Sequence, residues 1–194
     1  MADKFSTAIG IHFGKRRFTD RRTDADFYVY DDENLHRTII TNKPEKALHV
    51  LNPNQLEIRH IPVDGGIIDW AQEIYIPEST LGNKRPECML YSDTNLYYAE
   101  LKTNALSTQN GNKNALKGMR QIEEFVVYLH SIEGIPFPRN EHAVVCIDKK
   151  LIRRSTEFLN NIDKFRQNTK RVNPDGSKTE GIKIEFNDEI TFEE

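Results

Sequence analysis

The stretch from residue 86 to residue 147 constrains the fold most, because strand and helix patterns follow one another along it in a fixed order. Two apolar and aromatic runs flank the turn sequence Ser-Asp-Thr-Asn, and together they predict a β-hairpin over 86–102. Apolar residues then recur at helical spacing over about 112–131, where Asn112 is the expected N-cap. A continuous apolar run at 142–147 is typical of a strand buried on both faces. The sequence therefore predicts an α/β fold, with a central mixed β-sheet flanked by helices and a right-handed crossover.

Length and composition are those of one globular domain. The chain has 194 residues, of which 37% are hydrophobic, and this is enough to bury a substantial core without disulfides. We expect a single domain over 1–194, with its core at about 56–150. The N-terminal strands in 1–55 and a C-terminal helix plus hairpin in 151–194 are the expected elaborations of that core.

Local patterns divide the two flanking regions further. Strand-like runs at 26–30 and 35–40 surround an acidic turn and predict an N-terminal hairpin. The pattern over 150–168 predicts a helix. Two short strands around the turn sequence Asn-Pro-Asp-Gly then predict the C-terminal hairpin.

The sequence carries neither a membrane-span pattern nor a secretory signal pattern. No apolar stretch approaches the roughly 18 residues that a span requires, and the N-terminus lacks an apolar signal-peptide core. Cys88 and Cys146 lie in predicted strands, where reduced core residues are expected. We therefore expect a cytoplasmic protein with no membrane partner.

The balance of charge is a caution against nonspecific nucleic-acid binding. The chain has 27 basic and 30 acidic residues, and its net charge of −3 is not strongly basic. Basic clusters at residues 15–22, 149–154 and 164–171 still offer local surfaces that suit phosphate groups. Such runs are also common on ordinary solvated faces, so both interpretations stay open at this point.

The register of the predicted hairpin brings two acids and a lysine together. If Tyr91 pairs with Leu96, Glu87 lies directly across from Glu100, and Lys102 shares the face of Glu100. Directly opposed like charges destabilise a sheet, so a cation that neutralises them is the simplest justification for the cluster. A register offset by one residue would instead turn Glu87 to the opposite face.

These residues resemble the motif of the PD-(D/E)xK nuclease superfamily, which includes restriction-endonuclease-like enzymes. In that resemblance Glu87, after Pro86, stands where the first acid of the family stands, although that acid is usually Asp. Glu100 matches the second acid, and Lys102 matches the lysine. The resemblance covers roughly residues 84–148 and implies a restriction-endonuclease-like αβββαβ core.

The resemblance also implies a metal centre for phosphodiester hydrolysis. Glu87, Glu100 and the backbone carbonyl of Leu101 are the expected ligands of Mg²⁺ or Mn²⁺, which prefer oxygen ligands. Lys102 is expected to orient or help deprotonate the attacking water and to stabilise charge on the phosphate.

Other residues are weaker candidates for the same chemistry. The family's helix after the lysine strand often carries a Gln, Lys or Arg that faces the site, and Lys117 and Gln121 are the matching residues. A second acid-x-Lys tripeptide begins at Asp148, but it has no hairpin partner with an opposed acid. Asp69 is a further alternative metal ligand, with local capping as its ordinary role.

The resulting expectation is a metal-dependent nuclease, a hydrolase of nucleic acid that favours DNA over RNA. The alternative is a non-catalytic binding protein on a nuclease-like fold, either an immunity protein or a subunit of a complex. The slight acidity and the Glu at the first position favour that alternative. A protein partner and a homodimer both remain open on the sequence.

Overall fold

The computed structural model describes residues 2–15, 19–42, 46–68, 85–103, 107–172 and 176–193. These residues contain three α-helices and ten strands, and the strands form two β-sheets. The helices are α1 (Ala2–His12), α2 (Thr108–His130) and α3 (Thr156–Asn168). The strands are β1 (Asp20–Arg22), β2 (Asp26–Asp32), β3 (Arg37–Thr41), β4 (Ala47–Leu51), β5 (Ile58–Pro62), β6 (Cys88–Tyr91), β7 (Asn95–Leu101), β8 (Asn140–Cys146), β9 (Lys183–Phe186) and β10 (Glu189–Thr191).

The larger sheet is mixed, as the sequence predicts. Its six strands run in the order β1-β5-β6-β7-β8-β9. Neighbours from β1 to β7 are antiparallel, whereas β7, β8 and β9 are parallel to one another. The second sheet has the order β10-β4-β2-β3 and is antiparallel except for β10 beside β4. The α/β class with a mixed sheet and flanking helices is therefore confirmed.

The larger sheet has an apolar core on each face. On one face the buried residues of α1, α2 and α3, such as Phe5, Phe125 and Phe165, pack against the sheet. On the other face the core includes residues of the smaller sheet, such as Val29 and Leu48. Burial on both faces explains why β6 and β7 lack the apolar–polar alternation of a half-exposed strand.

The hairpin of β6 and β7 has the predicted register. Tyr91 pairs with Leu96 and Cys88 pairs with Ala99, so the next pair in the same register is Glu87 with Glu100. The N-terminal hairpin is also confirmed, since β2 and β3 pair antiparallel.

Three details of the helices and strands differ from the sequence prediction. The N-cap of α2 is Ser107, whose side chain accepts from the backbone N–H of Asn110, and not Asn112. Helix α3 starts only at Thr156, because Ser155 caps it and residues 149–151 form a separate 3₁₀ turn. The predicted C-terminal turn is bridged by one antiparallel pair, Val172 with Lys178, but its second predicted strand, β9, joins the larger sheet parallel to β8.

Two further observations concern the cysteines and the helices. Cys88 and Cys146 are free and buried, as expected for core residues. Among the described residues no helix is long and apolar enough to cross a membrane.

Candidate functional site

Glu100 is the centre of the candidate site. It lies on the face of β7 that α2 covers, and its side chain is completely buried, with an exposed fraction of 0%. The Lys102 side chain is 15% exposed, and its ammonium pairs with Glu100 Oε1. Glu100 Oε2 is buried and has no hydrogen-bond partner among the described residues. The site therefore contains one carboxylate oxygen that is held in the protein interior and still available as a ligand.

Helix α2 packs closely over this carboxylate because it has a glycine at the contact. A Cβ on Gly118 would lie 3.0 Å from Glu100 Cγ and 3.0 Å from Val145 Cγ1, closer than ordinary van der Waals contact. The glycine therefore has a packing role that outweighs its cost of roughly 1 kcal/mol in a helix interior.

Burial raises the pKa of both acids of the hairpin, and repulsion from Glu100 adds to the rise at Glu87. Burial raises the pKa of Glu87 to about 9, and the neighbouring Glu100 carboxylate contributes to the rise. Burial also raises the pKa of Glu100 to about 7, although the Lys102 ammonium acts to lower it. Two acids with raised pKa values beside one lysine define a site in which additional positive charge is favourable.

The segment before Glu87 is fixed to the end of β5. The Glu87 carbonyl accepts hydrogen bonds from the backbone N–H of Val63 at 2.8 Å and of Asp64 at 3.3 Å. The Arg85 guanidinium donates to Asp64 Oδ1 through Nε at 2.9 Å and through Nη2 at 2.6 Å. These contacts hold the first acid of the motif against the end of a third strand.

The two predicted helix residues both lie near the site, but in different ways. Lys117 is exposed, and its charge lowers the pKa of Glu100. Gln121 donates from Nε2 to the Arg85 carbonyl at 3.2 Å, and its Oε1 is buried without a hydrogen-bond partner in the described residues. Gln121 therefore contacts the chain two residues before Glu87 and touches neither carboxylate through a hydrogen bond.

Asp31 and Asp64 belong to the same electrostatic cluster, and the sequence analysis missed both. Burial raises the pKa of Asp31, and the charge of Asp64 raises it further. Asp31 in turn contributes to the raised pKa of Glu87. The acidic run at residues 31–33 looks like an ordinary turn in the sequence, so only the packing of the smaller sheet reveals Asp31.

The remaining predicted site residues, Leu101, Asp148 and Asp69, differ in what the structure shows of them. Leu101 packs its side chain into the core beside the smaller sheet, so only its backbone is available to the site. The Asp148 side chain accepts a hydrogen bond from the backbone N–H of Lys150 at 2.9 Å and caps the 3₁₀ turn, which is a structural role. Asp69 lies outside the described residues.

The donor set suits a hard cation only in part. Within the described part of the chain, no group of three or more His, Cys, Asp or Glu side chains is placed to hold a metal ion. The predicted set is smaller, with two carboxylates and one backbone carbonyl, and ions such as Mg²⁺ complete such sets with water. The orphaned Glu100 Oε2 is the observation that fits a metal ion.

Comparisons with known proteins place no further constraint on this site. No protein-family model matches the chain, and neither a curated protein nor a solved structure gives a significant match. The functional argument therefore depends on the residues and their geometry.

Proposed function

We propose that this protein is a metal-dependent nuclease that hydrolyses phosphodiester bonds of nucleic acid. The observation that carries the proposal is the buried Glu100, paired through one oxygen with Lys102 and unpartnered at the other. An unpartnered buried carboxylate oxygen costs stability, so its presence is best explained by a ligand that binds there.

The order of the structural elements supports the same proposal. Taken along the chain, α1, β5, β6, β7, α2 and β8 follow the sequence α-β-β-β-α-β, with β1 to β4 inserted after α1. This order agrees with the restriction-endonuclease-like core that the motif resemblance implies. The two acids then lie at neighbouring ends of adjacent strands, Glu87 just before β6 and Glu100 near the end of β7.

Each residue of the motif has a defined task in this proposal. Glu87, Glu100 and the Leu101 carbonyl would hold the ion, which is Mg²⁺ or Mn²⁺. When bound, such an ion polarises the scissile phosphate and lowers the pKa of a bound water. Lys102 is already oriented by Glu100, so its ammonium can hold the attacking water and stabilise negative charge on the phosphate oxygens.

One observation favours a second candidate, a non-catalytic binding protein on a nuclease-like fold. The pKa of Glu87, raised to about 9, leaves that carboxyl protonated near neutral pH when no cation is present. A site that is neutralised by a proton and by Lys102 needs no metal to be stable. An immunity protein or a subunit of a complex would tolerate this arrangement.

Cleavage of labelled nucleic acid by purified variants tests the proposal. Wild-type protein should cleave at least one of single- and double-stranded DNA and RNA with Mg²⁺ or Mn²⁺, and none in excess chelator. Lys102→Ala should keep the metal-induced rise in Tm and lose about 10²-fold in turnover, as expected when one charge-stabilising donor is removed. Glu100→Ala should lose both the rise in Tm and cleavage.

The matched control carries the same change of charge far from the site. Lys183 and Glu185 are exposed and two residues apart on β9, so the single variants Lys183→Ala and Glu185→Ala, matched to Lys102→Ala and Glu100→Ala, should leave cleavage unchanged. No metal-dependent cleavage of any of the four substrates by the wild type would favour the binding protein. Equal cleavage by the wild type and both site variants would indicate a contaminating nuclease and refute the site assignment.

A further inference from the structure

A basic segment lies at the same edge of the larger sheet as the candidate site. Strands β7 and β8 are parallel, and Leu101 pairs with Cys146, so the carboxyl ends of both strands meet at one edge. Glu100 and Leu101 end β7 and Lys102 follows it, while residues 148–154 begin two residues after the end of β8. The sequence of this segment, Asp-Lys-Lys-Leu-Ile-Arg-Arg, has four cations against one carboxylate.

Helix α2 holds the segment in place through specific contacts. Asn112 donates from Nδ2 to the Arg153 carbonyl at 2.9 Å, and its Oδ1 accepts from the Arg153 backbone N–H at 2.7 Å. Gly111 lies so close to the Leu151 carbonyl that a Cβ there would come within 2.3 Å of the oxygen. The basic segment is therefore fixed by its backbone, and its long side chains are left for other contacts.

The cations at this edge are exposed and unpaired. They are Lys113, Lys117, Lys149, Lys150, Arg153 and Arg154, and we call these six residues the basic edge. None of the six side chains forms an ion pair with an acid in the part of the chain that the structure describes. The nearest acid in the sequence, Asp148, directs its carboxylate at the Lys150 backbone.

The first turn of α2 adds to the positive potential. The helix has 23 residues, carries no acid in its first turn, and begins beside the basic edge. The amino end of a helix carries partial positive charge and favours anions. Although the overall net charge is −3, this part of the surface is locally positive and attracts a negative ligand.

We propose that the basic edge binds the phosphate backbone of a nucleic acid and aligns it with the candidate site. The inference depends on the proposed function for the purpose of this binding, and it adds the surface that receives the substrate. Lys117 belongs to both regions, since its charge already acts on Glu100. A polymer with regularly spaced phosphates can contact the cations of α2 and of residues 149–154 together.

The test is binding without metal, so that cleavage plays no part. Fluorescence anisotropy with labelled single- and double-stranded DNA and RNA, in excess chelator, gives the association constant over a range of salt concentration. For duplex DNA each neutralised phosphate contributes about 0.9 to the slope of log K against log salt, and for single strands about 0.7. The variant Lys149→Gln/Lys150→Gln/Arg154→Gln should therefore lower the magnitude of the slope by about 2–3.

A control variant removes the same number of exposed cations at the opposite ends of the strands. Arg139 precedes β8, Lys183 begins β9, and Lys178 lies in the segment before β9. The triple variant Arg139→Gln/Lys178→Gln/Lys183→Gln should keep the wild-type affinity and slope. If the basic-edge triple variant melts below the wild type, the single variant Lys150→Gln replaces it, with an expected change of about 1 in the slope.

The outcomes separate this inference from the proposed function. An unchanged slope in the basic-edge variant, or an equal loss in the control variant, would overturn the basic edge even if the wild type cleaves nucleic acid. Salt-dependent binding that is lost only in the basic-edge variant supports it, even if no metal-dependent cleavage is found. Absence of binding to all four nucleic acids refutes the basic edge outright.

Discussion

Replacing Glu100 by Gln should change how the stability of the metal-free protein depends on pH. In the unfolded chain Glu100 ionises near its ordinary pKa of 4.5, whereas in the folded protein burial raises the pKa to about 7. The folded protein therefore retains a proton that the unfolded chain has already released. The contribution of Glu100 to stability is full below pH 4.5, falls as pH rises through this window, and levels off above pH 7.

The size of the effect follows from the two pKa values. At about 1.4 kcal/mol for each unit of pKa, a rise from 4.5 to about 7 corresponds to about 3 kcal/mol of unfolding free energy. Glu100→Gln should abolish this fall, because the amide does not titrate. The variant also removes a charge that raises the pKa of Glu87, so the fall that Glu87 causes toward pH 9 should become smaller.

Urea denaturation followed by circular dichroism, in chelator and at constant ionic strength, measures the effect at pH 5, 7 and 9. The relevant quantity is the change in stability between pH 5 and pH 9, which already includes the Glu100–Lys102 ion pair because that pair forms only as Glu100 ionises. Glu133→Gln, at an exposed residue after α2, serves as the control and should follow the wild type. Parallel curves for the wild type and Glu100→Gln would refute the buried, perturbed carboxylate.

Two further changes test the packing around the site and the basic edge. Gly118→Ala should destabilise the protein by about 1–3 kcal/mol, as overpacking does, because the new Cβ would crowd Glu100 and Val145. A more stable variant in urea denaturation would contradict this. Asn112→Ala removes both hydrogen bonds to the Arg153 backbone, so it should cost about 1–3 kcal/mol of unfolding free energy and speed hydrogen exchange at the Arg153 amide. Unchanged exchange would show that Asn112 does not hold this segment in place.

The hairpin and its register were predictable because every local signal agrees there. The turn sequence fixes the loop length, and the pairing of Tyr91 with Leu96 then determines which side chains share a face. Glu100 and Lys102 consequently lie together without any tertiary information. The same logic located the long helix and the strand after it, which differ from the prediction only at their ends.

The structural features that the sequence did not predict depend on long-range packing. Helix α1 has little sequence signal of its own, and it is the burial of Phe5 and Ile9 against the sheet that defines it. The segment at β9 looked like one half of a hairpin, but an edge strand is determined by the partner it finds, here β8. Asp31 joins the acidic cluster only because the smaller sheet packs on the larger one, and no local pattern records that contact.

The energetics of Glu100 connect the fold to the proposed chemistry. A buried polar atom without a partner costs about 1–3 kcal/mol, and repulsion from Glu100 would add to the cost of ionising Glu87, whose pKa is raised to about 9. Lys102 offsets one charge, but its ammonium pairs with Oε1 and leaves Oε2 unsatisfied. Without a cation, a proton on Glu87 and the Lys102 ammonium limit this cost, but neither satisfies Oε2. A cation at Oε2 would satisfy the oxygen, lower both pKa values and release protons, which links the buried carboxylate to the proposed metal chemistry.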